Sequence, residues 1–361
     1  MPRRAATGIG LLAVVVSACA SLPTRDQLVS IPAPHESLDA GAGLVDGRAR
    51  FREIFCAVLE RSPVFEPGAR ECSGWLWQLD DEPSGQPRAL PGRVADMQVF
   101  LVTGAFSECV GEEARPFRDA AQRLSGQGYR ISTIVVGGRS GSAHNAAQIA
   151  ERLPPARKGE EGPVALIGYS KGANDILEFM SRYPEAAARV VAVVSVAGAI
   201  GGSPLADRGA GLYGTLLDWI PSERCAAGDG GVVDSLRTDV RRDWLARNTL
   251  PPSVPYFSIA AFTTGDRMSR ALYPSWKMLL QHDARSDGQL LARDALIPGS
   301  TLLGYVNADH WSAAIDVEAV HPFLGARHDR DPFPRAALLE AILLQLADTW
   351  SESGRPQREF Q

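Results

Sequence analysis

Val164-Ala165-Leu166-Ile167-Gly168-Tyr169-Ser170-Lys171-Gly172-Ala173 is the stretch on which the reading of the chain turns. Its first four residues form a continuous apolar run, the pattern of a strand buried on both faces. Residues 171–182 then take helical apolar spacing. Gly168-x-Ser170-x-Gly172 falls between the two. Five such letters arise often by chance, but at a strand-to-helix turn they acquire a mechanical meaning. The turn is tight, and glycines two positions either side of Ser170 relieve clashes with strand and helix. Ala173 keeps the same helix face small. The turn lifts the serine hydroxyl above the sheet and sets it at a helix N-terminus, whose partial positive charge favours an anion. Ser170 is therefore the candidate nucleophile, and the backbone N–H of Lys171 one candidate oxyanion donor. The plainer alternative is a glycine-rich turn without chemistry.

Outward from this turn, strand and helix patterns alternate. Short apolar or β-rich runs lie at 98–103, 130–136, 190–196, 256–262 and 301–306. Helical spacing occupies 113–125, 143–153 and about 333–350. The alternation predicts an α/β fold, a mostly parallel central sheet flanked by helices. Residues 198–252 break the rhythm and are expected as a cap-like insertion after the strand that follows the nucleophile helix. They would lie at the C-terminal edge of the sheet, where open α/β proteins bind ligands. Leu216, Leu217 and Trp219 could line an acyl site there, although core packing is the commoner role for each. Before the alternation, 46–95 reads as a helical N-terminal appendage, with Phe51, Ile54, Phe55, Val58 and Leu59 on one face. Residues 80–94 are turn-rich. Residues 19–45, rich in Pro, Ala, Gly and Ser, read as a tether.

From residue 96 onward the chain resembles the α/β-hydrolase family, in particular the bacterial triacylglycerol-lipase and esterase-like serine hydrolases. The resemblance implies a 96–361 catalytic domain that cleaves carboxylic esters, lipids included, through a Ser-His-Asp triad and an acyl-enzyme. It also implies an oxyanion strand upstream of the serine. Val102-Thr103-Gly104-Ala105-Phe106 occupies that place, with Thr103 where those lipases usually have His. The Ala105 N–H is the expected second donor and Phe106 the alternative. Gly138-Arg139-Ser140-Gly141-Ser142-Ala143-His144 is also similar to a segment of those lipases, with its role left open.

A serine at neutral pH needs a base within hydrogen-bond reach. In this fold the order along the chain is Ser, then acid, then His, which sets aside His35 and His144. His310, in Asn307-Ala308-Asp309-His310-Trp311 just past a strand, is the expected base. His282 lies before that strand, and His321 and His328 lie in a Pro- and Asp-rich loop. Asp287, in an Asp-Gly turn like the one that carries the acid in bacterial lipases, is the preferred acid. Asp266 at the end of the 256–262 strand is the alternative, and Asp283 a third choice. No cofactor is required. Related lipases often bind calcium through an acid two residues after the His; position 312 is Ser, so no calcium or other metal is expected. The same triad also serves an acyltransferase, and an inactive envelope lipoprotein that kept the fold is the alternative from another class.

Bulk properties place these expectations. The chain has 361 residues, 45% hydrophobic, with a formal charge of -5. That suffices for a large core and disfavours nucleic acid as a partner. Arg3 and Arg4, an apolar run over 9–16 and small residues at Ser17 and Ala18 form an export-signal layout over residues 1–18. Val16-Ser17-Ala18-Cys19 resembles a bacterial lipobox, which implies lipidation at Cys19, a membrane anchor through it, and an outer-membrane or periplasmic location. Ala20, rather than Asp, slightly favours the outer membrane. Loss of residues 1–18 removes two Arg and no acid, leaving 35 basic against 42 acidic residues, or -7. With Cys19 lipidated, Cys56, Cys72, Cys109 and Cys225 form an even set with three possible pairings. Pairing Cys56 with Cys72 closes a short loop and leaves Cys109 with Cys225, chemistry the periplasm permits.

Overall fold

The apolar run at 164–167 lies near the middle of an eight-stranded sheet. A computed structural model describes residues 22–30, 43–61, 71–85, 88–92, 97–153, 162–209, 226–320 and 333–352. The main strands are β3 (Gln98–Val102), β4 (Arg130–Ile134), β5 (Val164–Tyr169), β6 (Val190–Val196), β7 (Tyr256–Phe262) and β8 (Thr301–Asn307). They lie in the order β8-β7-β6-β5-β3-β4, and all pairings among them are parallel. Two further strands of two residues each, β1 (Val45–Asp46) and β2 (Leu76–Trp77), pair with β8, β1 parallel and β2 antiparallel.

Helices cover both faces because the strand residues alternate between them. Val99 and Leu101, Ala165 and Ile167, and Val194 and Val196 pack on one face with α2 (Arg48–Glu60), α4 (Arg118–Gly126) and the C-terminal helix Arg335–Glu352. Val102, Leu166 and Val193 pack on the other with α5 (Ser142–Arg152) and α6 (Lys171–Arg182). Leu166 and Ile167 are both buried, and burial of each such side chain contributes roughly 1.5–3 kcal/mol. The helical spacing at 113–125 is divided in the structure. A short 3-10 turn at Glu112–Ala114 precedes α4, with Arg115 extended and Phe117 left-handed at φ 56°. Pro116 accounts for the break, since a residue before proline is pushed out of the helical region.

The N-terminal segment is more integrated than an appendage reading suggests. Besides α2, residues 43–77 supply β1 and β2 to the sheet. Cys56 and Cys72 form a disulfide that anchors the start of the β2 segment to α2. Closing a loop of that length stabilises the fold by about 3 kcal/mol. Cys109 is also disulfide-bonded, to a partner outside the described residues. Of the stretch expected as a tether, residues 25–30 form a helix, α1, whose Leu28 is buried in a cluster with Trp77, Phe262 and Tyr305. The buried Arg285 guanidinium donates to the Leu28 carbonyl at 2.9 and 2.6 Å. Val29 packs against the same cluster, and Arg25 donates to the Ser73 carbonyl at 3.0 Å and lies over the Trp77 ring, so a few contacts dock a segment whose composition reads as linker.

Of the stretch expected as an insertion, 198–252, the described residues include short helices at Pro204–Asp207 and Thr238–Arg247; Leu216, Leu217, Trp219 and Cys225 lie outside the described residues. Among the described residues, no helix is long and apolar enough to cross a membrane.

Candidate active site

β5 runs into α6 through Ser170, whose backbone sits at φ 55°, ψ -130°. Non-glycine residues rarely adopt this conformation, and it persists only where the surroundings enforce it. Here the Ser170 N–H donates to the Val196 carbonyl at 3.1 Å, and the Ser170 carbonyl accepts from Ala173 and Ala199. The flanking glycines are required by space. A Cβ on Gly168 would lie 2.5 Å from the Ala173 Cα, and one on Gly172 would lie 2.5 Å from the Thr103 carbonyl oxygen.

The loop after β8 brings His310 to this serine. His310 Nε2 is 2.9 Å from Ser170 Oγ, and His310 Nδ1 is 2.7 Å from Asp287 Oδ2. His310 and Asp287 are only 2% and 1% exposed, so the pair is shielded from water. The second oxygen of Asp287 accepts the N–H groups of Gln289 and Leu290 at 2.9 and 2.7 Å, and its carbonyl accepts the N–H of His310 at 2.8 Å. The carboxylate is therefore held on both oxygens, one by backbone N–H groups and one by the imidazole.

Asp266 is exposed, and no hydrogen bond joins it to His310. Asp283 is engaged elsewhere, accepting from the Arg285 N–H and from Arg293. His144 and His282 are exposed, and His144 sits beside Gln148. His35, His321, His328 and Cys19 lie outside the described residues.

The start of α6 and the segment after β3 meet at Ser170. Lys171 is the first residue of α6, so its N–H has no intrahelical partner. Gly104 presses against Ser170: a Cβ there would lie 2.9 Å from Ser170 Cβ and 3.4 Å from Ser170 Oγ. Of the two N–H groups that follow, that of Phe106 donates to the Gly138 carbonyl at 3.1 Å, which engages it elsewhere. The Ala105 N–H makes no hydrogen bond among the described residues. Thr103, in the place of the usual His, accepts the Val136 N–H on its hydroxyl at 3.2 Å and so ties β3 to the end of β4.

Some residues of the site carry no sequence signal of their own. Tyr169 fills the variable position of the serine motif, yet its hydroxyl donates to the His310 carbonyl at 2.7 Å and its ring lies 5.2 Å from the imidazole. Burial, reinforced by the nearby Asp287 and Asp309 carboxylates, holds its phenol well above the ordinary tyrosine range, so it stays a donor. Asp309 accepts the N–H groups of Ser269 and Ser312 at 2.7 and 2.8 Å, clamping the histidine loop to the segment after β7. An Asp next to the expected histidine was the available clue. Among the described residues, no group of three or more His, Cys, Asp or Glu is placed to hold a metal ion.

No family model and no curated protein matches the chain. Solved structures do. The metagenomic carboxyl esterase MGS0156 is 38% identical, with a TM-score of 0.76, over 89% of this chain and 98% of that one. The Bacillus licheniformis lipase BlEst2 in mature form is 22% identical over 67% of this chain and 96% of its own, with a TM-score of 0.50. The Staphylococcus hyicus lipase is 13% identical over 74% and 100%, with a TM-score of 0.51. The two lipases share the fold, whereas the likeness to the esterase extends to sequence along nearly the whole of both chains. On that likeness and the fold around Ser170, the chain belongs to the α/β-hydrolase family of esterases and lipases.

Proposed function

We propose that the protein is a serine hydrolase of carboxylic esters, with Ser170 as nucleophile, His310 as general base and acid, and Asp287 as the orienting carboxylate. The observation that carries this reading is the buried relay from Asp287 Oδ2 through His310 to Ser170 Oγ, at 2.7 and 2.9 Å. Ser170 Oγ attacks the ester carbonyl carbon while His310 Nε2 takes its proton. The carbonyl electron pair moves to oxygen, and the N–H groups of Ala105 and Lys171 hold the resulting oxyanion. Each such donor is typically worth about 2.7–4 kcal/mol in the transition state. Collapse breaks the bond to the alkoxy group, which leaves with the proton from His310, and an acyl-enzyme remains. Water, deprotonated by His310, repeats the attack and releases the acid and Ser170. Asp287 keeps the histidine tautomer that presents a lone pair to the serine and stabilises the imidazolium.

A fluorophosphonate probe tests the nucleophile: the wild-type chain is labelled and Ser170→Ala is not. Absence of labelling on folded wild-type protein refutes the assignment. A series of nitrophenyl esters of increasing acyl length then defines the substrate range, and added alcohols reveal any acyl transfer. The export signal and the lipid anchor at Cys19 remain part of this reading. They rest on the ordered layout of residues 1–19. The intact mass of membrane-extracted protein tests them: a mature chain beginning at Cys19 without acyl mass ends the anchor proposal.

A further inference from the structure

The two proposed oxyanion donors belong to different elements, and a buried polar network that the hydrolysis scheme does not use connects those elements. It begins on the donor residue itself. The Lys171 ammonium lies 2.6 Å from Asp175 Oδ1, one turn along α6, with both side chains 1% exposed. Asp175 Oδ2 accepts from Asn145 Nδ2 of α5 at 2.8 Å. The same Asn145 amide donates to the Gly137 carbonyl at 3.1 Å. A flipped amide would set its oxygen against a carboxylate and a carbonyl, so these two acceptors fix its orientation.

Gly137 lies in the loop between β4 and α5, and its next residue braces the oxyanion loop. The Gly138 carbonyl accepts the Phe106 N–H at 3.1 Å, and its N–H donates to Glu108 at 2.9 Å. The contact is close: a Cβ on Gly138 would lie 2.9 Å from the backbone nitrogen of Phe106. Phe106 itself is left-handed at φ 60°, a conformation that costs a non-glycine residue energy and survives only when braced. Burial raises the Asp175 carboxyl above its ordinary range, against the opposing pull of Lys171 and Asn145. An ion pair buried in this way adds little net stability compared with apolar residues of similar volume.

We propose that Asp175 and Asn145 are positioning residues, which hold the loop between β4 and α5, and through it the Ala105 amide, in register with the Lys171 amide across the oxyanion site. This rests on the reading of Ala105 and Lys171 as the oxyanion donors. Displacing one donor by about 1 Å weakens the transition state by about 10²-fold while leaving ground-state binding nearly intact. Asn145→Ala removes the link without stranding a charge, because Asp175 keeps Lys171. The double variant Lys171→Met with Asp175→Leu removes the ion pair as a unit and retains the backbone N–H at position 171.

The test compares kcat and KM for a nitrophenyl ester, the inhibition constant of an alkyl trifluoromethyl ketone, and the thermal midpoint. The ketone forms a hemiketal with Ser170 whose oxyanion occupies the hole. In both variants kcat falls by about 10- to 100-fold, ketone affinity falls in parallel, and KM and midpoint change little. A folded Asn145→Ala or double variant with wild-type kcat and ketone affinity overturns the proposal. So does a loss of kcat with ketone affinity unchanged. Labelling of the wild type by fluorophosphonate separates the two readings. A labelled wild type with an unaffected Asn145→Ala refutes only the positioning role, whereas an unlabelled folded wild type refutes the hydrolase reading and this inference with it.

Discussion

Replacing Asp287 by asparagine changes one atom of the relay and reverses the direction of its hydrogen bonds. Asp287 Oδ1 accepts from the N–H groups of Gln289 and Leu290, so the asparagine oxygen takes that place and keeps both bonds. Its NH2 group then faces His310 Nδ1, where the carboxylate accepted at 2.7 Å. The imidazole is forced to carry its proton on Nε2, pointed at Ser170 Oγ, and no lone pair remains to take the serine proton. The charge is lost as well. A carboxylate and an imidazolium with centres about 4 Å apart, at an effective dielectric of about 20, attract by about 4 kcal/mol. At about 1.4 kcal/mol per decade, that interaction alone corresponds to about 10³-fold in rate. The wrong tautomer adds to it, so kcat/KM for a nitrophenyl ester should fall by about 10³- to 10⁴-fold. Because Asn retains the two backbone bonds, the thermal midpoint should move little. Asp266→Asn is the matched control. That side chain is exposed, and its variant should stay within about twofold of wild type, as surface changes away from a site do. A loss of less than about tenfold in Asp287→Asn, or a larger loss in Asp266→Asn, would refute the assignment of the acid.

Three other outcomes follow from the geometry. Gly172→Ala places a methyl group 2.5 and 2.6 Å from the Thr103 and Val102 carbonyl oxygens, backbone atoms that cannot turn aside; the chain should lose at least about 1–3 kcal/mol in denaturant unfolding, and esterase activity with it. Removing the Cys56–Cys72 bridge by a double Ser variant should cost about 3 kcal/mol in the same assay, with no change in the non-reducing mass of the Cys109 peptide. Burial lifts the Asp294 carboxyl to about 6, with Arg293 pulling it down and Asp283 pushing it up. The native state therefore holds that proton more tightly than the unfolded chain, so Asp294 favours folding when protonated and opposes it once ionised. Asp294→Asn should raise the thermal midpoint above pH 6, and the gain should shrink as pH falls through that value.

The parallel sheet was legible because its strands are buried on both faces and read as unbroken apolar runs, as at 164–167 and 190–196. The serine turn was legible because its glycines answer local demands for space that involve neighbours in the fold's most regular part. Ser170, His310 and Asp287 could be named as candidates from chain order, and the structure brings those three together while leaving Asp266 apart. What escaped the sequence has little periodicity or no local motif. β1 and β2 are two residues each, too short to show alternation. Tyr169 and Asp309 each make a hydrogen bond to backbone far along the chain, the His310 carbonyl and the Ser269 N–H, which no spacing rule encodes. Leu28 docks a segment whose composition matches a linker, because one buried side chain does not alter composition.

The pairing of β1 and β2 with β8 also shapes how this chain reaches its fold. Val45 and Asp46 lie beside Thr301 and Leu302, and Leu76 and Trp77 beside Val306 and Tyr305. The outer side of the last strand is thus completed by some of the earliest described residues. Such contacts are slow to form, since loop-closure entropy must be overcome before they contribute. During synthesis β8 emerges late, and until β1 and β2 meet it, its unpaired edge is a template for another chain. A version truncated before residue 78 would keep Ser170, His310 and Asp287 in sequence yet remove α2 from the core and leave that edge open, so association between chains would accompany its loss of stability.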